Sequence, residues 1–383
     1  MVRLLRKIGA FLTSFTLTLI LILAIIYFQK PNQISSRKVF GLNPTTIAKA
    51  TTILPQRELW LRQKLAKMTL EEKVAQMFIF RAEGTSMTEK FETFLKKIKP
   101  GGVILMGDNI SDGLSQFTGT IQKTNSEVPL FISIDQEGGL VKRIKSDPNP
   151  GGKALSKASP EIFCSNYQNT AELLKKNGVN VNFNTVADLG INKKSFIYER
   201  TFEGDPNQVA TLVGKQLDCS PATLNTLKHF PGHGRTEVDS HKEIPVIDID
   251  YATWQSSDAI PFAQNINKYP DFIMMGHLNF KQIDNQPATL SAIQVENLRK
   301  LGFEGIIITD AMEMLVAAGM DPIDSLIRAV KAGNDVILYV SSPLDPEILV
   351  NKIIELVKSG EISLGRIEKS VERILRAKFK IKD

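Results

Sequence analysis

The stretch Leu224-Asn225-Thr226-Leu227-Lys228-His229-Phe230-Pro231-Gly232-His233-Gly234-Arg235-Thr236-Glu237-Val238-Asp239-Ser240-His241 holds three of the four histidines in a chain of 383 residues. Leu224 to Leu227 reads as a short buried strand. Pro231, Gly232 and Gly234 then stop regular structure, so the residues after Phe230 are expected to form a loop. Polar residues therefore crowd the point where a strand ends. Asp239 and His241 sit two apart, close enough on a bent loop for the carboxylate to orient the imidazole and select its tautomer, as general acid/base work requires. A histidine-rich loop can also hold zinc. Against that reading, the chain lacks HExxH and paired cysteine spacings, and Lys228 would put a cation beside the metal.

Working outward, short apolar runs recur on both sides of this stretch: 74–80, 102–106, 130–134, 179–186, 226–230, 272–276, 305–309 and 336–340. Segments 89–97, 161–176, 206–217, 294–301 and 322–332 lie between them with helical spacing and polar faces. Eight strands alternating with helices are the expectation for an α/β fold, a (β/α)8 TIM-like barrel forming a single catalytic domain over residues 60–383. The first run is ambiguous, because 68–80 reads as helical almost throughout, opening at Thr69-Leu70-Glu71-Glu72. Residues 345–382 read as two amphipathic helices on the barrel wall. A barrel requires its functional residues at the C-terminal ends of strands. Asp135, Asp188, Lys228, His229, His277 and Asp310 all fall there. For Asp310 two readings stand level: a nucleophilic carboxylate at the barrel mouth, or the N-cap of a helix that starts at Ala311.

The net charge is +6, with 43% hydrophobic and 23% charged residues. Residues 1–60 carry eight Lys/Arg and one acidic residue, so the rest of the chain is close to neutral. The basic balance belongs to the leader and excludes a nucleic-acid surface. Arg3, Arg6 and Lys7 precede an uncharged run at about 9–28, long enough as a helix to span about 30 Å of bilayer. No small-x-small cleavage site follows it. Residues 1–30 are therefore expected to be an uncleaved signal anchor, in preference to a cleaved secretion signal, with 31–59 as a flexible tether and the catalytic domain outside the cytoplasmic membrane. Cys164 and Cys219 are expected to be unpaired core thiols.

The run from Lys228 to His241 resembles the signature K-H-F-P-G-H-G-x-T-x-x-D-S-H of bacterial β-N-acetylglucosaminidases of glycoside hydrolase family 3, and every fixed position is present. The resemblance extends from about residue 65 to the C-terminus. Further landmarks are Asp135-Gln136-Glu137-Gly138-Gly139, Arg200-Thr201-Phe202 and Thr309-Asp310-Ala311-Met312-Glu313-Met314. It implies that Asp310 is the nucleophile of a retaining glycosidase and that His241, held by Asp239, is the acid/base. It also implies that Asp135, Arg143, Arg200, Lys228 and His229 bind the sugar, a task suited to carboxylate acceptors and cationic donors. The chain departs from the family pattern at Leu140, usually an arginine, and at Thr185, often a proline. His233 is expected to order the loop, and His277 to satisfy a polar contact in the core.

The resemblance implies an exo-acting β-N-acetylglucosaminidase that removes terminal GlcNAc from peptidoglycan or its fragments. It would need no cofactor and no metal, act as a monomer, and touch the membrane only through the N-terminal helix. The alternatives are a β-glucosidase or β-xylosidase of the same family, and a membrane-tethered wall-binding protein without catalysis.

Overall fold

The computed structural model describes residues 44–124 and 127–382, with side chains from residue 56 onward. The chain divides into two units, Met1–Gln56 and Arg57–Asp383. The first is described only from Pro44, where it is helical. The expected membrane helix at about 9–28 lies outside the described residues, and among those described no helix is long and apolar enough to cross a membrane.

In the second unit the strands, in chain order, are β1 (Phe78–Arg81), β2 (Gly102–Leu105), β3 (Phe131–Ile134), β4 (Val181–Val186), β5 (Leu224–Phe230), β6 (Val246–Ile247), β7 (Phe272–Met275), β8 (Asn279–Phe280), β9 (Ile306–Ala311) and β10 (Val336–Tyr339). Eight of them close a barrel in the order β1-β2-β3-β4-β5-β7-β9-β10, and β10 pairs back onto β1. Every pairing is parallel. The minor strands β6 and β8 pair with each other beyond the barrel. Strands covered on both faces need no polar alternation. Ile306, Ile307 and Ile308 are accordingly all buried, as are Phe131 and Ile132.

The outer helices start where the sequence punctuates. Ser159, Asp205, Asp321 and Asp345 cap helices Pro160–Lys176, Pro206–Cys219, Pro322–Ala332 and Pro346–Lys358, each with proline in the first turn. The side-chain oxygen takes an otherwise orphaned N–H, and proline forgoes one that would have been orphaned. Removing such a cap costs about 1 kcal/mol. The N-terminal face of the barrel is closed by buried Asp335, which accepts from Arg299 at 2.6 Å, Arg373 at 3.1 Å and the Ile307 N–H at 2.9 Å. That face is structural; the candidate chemistry lies at the opposite end.

Three expectations need correction. The tether expected over 31–59 is helical from Pro44, within helix Pro44–Lys67. Its later part presents Leu61, fully buried, with Trp60 and Leu65 packed beside it, and this apolar stripe outweighs the Pro, Thr and Asn content before it. The first run, 74–80, splits into helix Leu70–Ala75 and β1. Thr69 and Glu72 form a capping box at the helix start that the sequence suggested, at 3.2 Å in both directions. Cys164 and Cys219 are paired rather than free. They lie on neighbouring helices, Pro160–Lys176 and Pro206–Cys219, with Cα atoms 5.1 Å apart, within disulfide reach.

Candidate active site

Asp135 follows the last residue of β3, and Lys228 and His229 lie near the end of β5, so the barrel brings them together at its C-terminal mouth. Lys228 is buried and its Nζ bridges two carboxylates, Asp135 at 3.0 Å and Glu137 at 2.6 Å. Arg143 donates to the other Asp135 oxygen at 3.2 Å. Arg200 forks both oxygens of Glu137, Nε at 2.9 Å and Nη2 at 2.8 Å, the planar bidentate geometry that only arginine offers. Burial pushes the Asp135 carboxyl up, but Lys228 and Arg143 outweigh it and hold it at about 2. Burial likewise opposes ionisation of Glu137, and Arg200 and Lys228 prevail, keeping it low. Burial lowers Lys228, while the two carboxylates more than restore it to the charged form. The mouth is thus lined by charges that are permanent at neutral pH and already oriented, as sugar hydroxyl recognition requires.

Asp188, two residues past β4, organises the histidines. Its Oδ2 meets His229 Nδ1 at 2.7 Å and the His229 N–H at 3.0 Å, and its Oδ1 accepts from the His233 N–H at 2.6 Å. Burial raises Asp188, but its proximity to His229 and His233 keeps it ionised. Arg200 Nη2 lies 3.5 Å from the second ring nitrogen of His229. Asp135, Arg143, Lys228, Arg200 and His229 therefore belong to one network, completed by Glu137 and Asp188.

The loop after β5 needs its glycines. Gly232 has φ +130, and a Cβ on Gly234 would run into the Leu189 carbonyl oxygen. Trp254 Nε1 donates to the Pro231 carbonyl at 2.9 Å, and Arg235 Nε donates to buried Asp258 at 2.8 Å. Beyond these anchors Asp239 Oδ1 meets His241 Nδ1 at 2.8 Å and accepts from the His241 N–H at 3.1 Å. The expected carboxylate–imidazole pair is present, with the His241 side chain 61% exposed. His233 does order the loop, its Nε2 meeting Ser240 Oγ at 2.9 Å.

Asp310 stands inside β9, not at a helix N-terminus; the short helix Glu313–Ala317 begins three residues later. The N-cap reading therefore fails. Asp310 Oδ1 accepts from the adjacent Ala311 N–H at 2.8 Å. Burial disfavours its charge, but the neighbouring His229, the Ala311 N–H and Lys228 outweigh that and favour the carboxylate, the form a nucleophile must have. His277 is buried, with Nδ1 2.9 Å from Thr289 Oγ1 and Nε2 2.9 Å from the Ala311 carbonyl. It is the satisfied core histidine that the sequence suggested, and it also steadies the peptide next to Asp310.

Glu137 is the residue that sequence reasoning missed as part of the site. It was in view two positions after Asp135, yet no spacing rule says that it collects both Arg200 and Lys228. Thr185 is buried and donates to Asn184 Oδ1 at 3.2 Å, while Leu140 projects 72% exposed. Among the described residues, no group of three or more His, Cys, Asp or Glu side chains could hold a metal ion.

The glycosyl hydrolase family 3 N terminal domain matches residues 69–377. The chain belongs to glycoside hydrolase family 3. Within the family it is 32% identical to the β-hexosaminidase of Nitrosospira multiformis over 307 residues, covering 76% of this chain and 87% of that one. It is 29% identical over 339 residues to β-hexosaminidase A of Pseudoalteromonas piscicida, covering 79% of this chain and 57% of that protein. The solved family 3 β-N-acetylglucosaminidase of a Paenibacillus species superposes with a TM-score of 0.78 at 29% identity, over 82% of this chain and 62% of that one. Against the latter two relatives, this family 3 chain spans about three fifths of their length.

Proposed function

We propose that this family 3 glycosidase is a retaining exo-β-N-acetylglucosaminidase acting on terminal GlcNAc of peptidoglycan or its fragments. The observation that carries the reading is the Asp239–His241 pair at 2.8 Å, on a loop at the same barrel end as the ionised Asp310. A retaining glycosidase needs a nucleophile and a group that first protonates the leaving oxygen and then deprotonates water. Asp310 would attack the anomeric carbon as the glycosidic bond breaks, giving a glycosyl ester. His241 would give its proton to the departing oxygen and take one from the incoming water. Asp239 would hold His241 Nδ1, leaving Nε2 for the transfer. Asp135, Arg143, Arg200, Lys228 and His229 would bind the sugar, with Glu137 and Asp188 fixing the cations and the imidazole.

Two relatives named β-hexosaminidase and one solved β-N-acetylglucosaminidase support the sugar preference. The disulfide suits an oxidising compartment and supports a domain outside the cytoplasmic membrane, tethered through the N-terminal apolar run. The test compares chromogenic β-GlcNAc, β-glucoside and β-xyloside with the purified chain. A kcat/KM at least tenfold higher for β-GlcNAc is expected. A preference for either other sugar, or no turnover of any, overturns the reading.

A further inference from the structure

The His241 side chain is 61% exposed, so few contacts fix its place. Transfer needs heavy atoms within about 2.6–3.2 Å, and a displacement near 1 Å can cost about 100-fold. The contacts that set its place lead to the segment after β4. The Phe196 ring lies 5.7 Å from the His241 ring, nearly perpendicular at 82°. The same ring meets His233 at 4.8 Å and 81°, and His233 in turn bonds Ser240, the neighbour of His241. Phe196 itself stands on a firm base. It sits between buried Ser195 and Ile197, in a turn closed by Ser195 N–H to Asn192 carbonyl at 3.0 Å and Tyr198 N–H to Ser195 carbonyl at 2.9 Å. Arg200, from the sugar-binding network, lies 5.9 Å from the Phe196 ring.

From this geometry we infer that Phe196 is a positioning residue for His241, a platform on which the imidazole rests, with the His233–Ser240 hydrogen bond as its latch. Both ring pairs have the edge-to-face arrangement that the aromatic quadrupole favours. A hydrocarbon platform also has a chemical advantage over a polar one. Asp239 occupies Nδ1, and a polar support would compete for Nε2, whereas Phe196 can orient the ring without claiming the nitrogen that faces the leaving group. The inference rests on His241 being the acid/base.

The experiment compares wild type, Phe196→Ala, Phe196→Tyr, Ser240→Ala and His241→Ala in the full chain, reading kcat/KM on a β-linked GlcNAc disaccharide and on nitrophenyl β-GlcNAc. An activated phenol departs with little protonation, so loss of acid positioning must show on the disaccharide first. Phe196→Ala is expected to lose about tenfold on the disaccharide and less than twofold on the nitrophenyl substrate. Ser240→Ala should lose about fivefold in the same pattern, the worth of one neutral hydrogen bond. Phe196→Tyr, which keeps the ring but adds a hydroxyl, should fall between wild type and Phe196→Ala on the disaccharide. Equal losses on both substrates, no loss on either, or a rise in KM for the disaccharide at unchanged kcat would each overturn the inference. If His241→Ala shows no leaving-group dependence, the acid/base assignment fails first and Phe196 loses its role with it.

Discussion

His277 Nε2 lies 2.9 Å from the Ala311 carbonyl, on the peptide that follows Asp310, while the Ala311 N–H donates to Asp310 Oδ1 at 2.8 Å. The nitrogen facing a carbonyl must carry the proton, so in its neutral form His277 is protonated on Nε2, with Nδ1 2.9 Å from Thr289 Oγ1. Burial lowers the His277 pKa and favours that neutral state. A histidine on one strand end thereby sets the peptide plane beside the carboxylate on the next.

His277→Ala should therefore lower kcat on every β-GlcNAc substrate by about 100-fold regardless of leaving group, because it loosens Asp310. Measured with the substrate pair used for Phe196, it should show no leaving-group dependence. A loss confined to the disaccharide would place His277 on the acid/base side instead.

Stability should fall in two stages on acidification. Burial lowers His233 from 6.5 to about 4, so the unfolded chain binds that proton more readily than the native state. Its contribution is fully present above about pH 6.5 and is lost as pH falls toward 4; His277 acts in the same direction. Urea unfolding should show about 2 kcal/mol less stability at pH 5 than at about pH 7.5. Asp135, held at about 2 against an ordinary 3.8, adds a second loss between those values. His233→Gln should flatten the first stage. A native curve level between pH 7.5 and 5 would contradict this assignment.

Cysteine pairing has a direct check. Without reductant the unfolded chain should titrate no free thiols, and after reduction two. Cross-linking across 55 residues stabilises by about 4 kcal/mol in the chain-entropy view, so Cys164→Ser with Cys219→Ser should lower the melting temperature. Two free thiols in the untreated protein, or an unchanged melting temperature, would count against the pairing. In cells, protease added to spheroplasts should degrade residues 60–383 if the domain is outside the membrane.

Much of this was legible before any coordinates. The eight barrel strands follow apolar runs because strands buried on both faces lose their polar alternation, and caps such as Asp321 before Pro322 mark helix starts locally. Asp239 and His241 could be paired from spacing alone, since only Ser240 separates them on a bent loop. The Glu137–Arg200 fork was not legible, because it joins residues 63 apart through barrel closure. Cys164 and Cys219 were misread for the same reason: a separation of 55 residues does not reveal that two outer helices are neighbours. Phe196 was not singled out in the sequence, because the two imidazole rings it meets lie 37 and 45 residues further on.

Chelation offers a simple exclusion. If the histidines serve proton transfer and sugar contact, activity should survive EDTA. Loss that zinc restores would bring back the metal reading of the His233–His241 loop.

The role of Asp310 can be read from one trapping measurement. With a slow fluorinated GlcNAc donor, mass spectrometry of the digested protein should find the sugar esterified to the peptide carrying Asp310, and Asp310→Ala should take up none. A label on another residue would move the nucleophile away from Asp310, and strong inhibition by a thiazoline with no label at all would point to attack by the substrate's own acetamido group; either result would contradict the account.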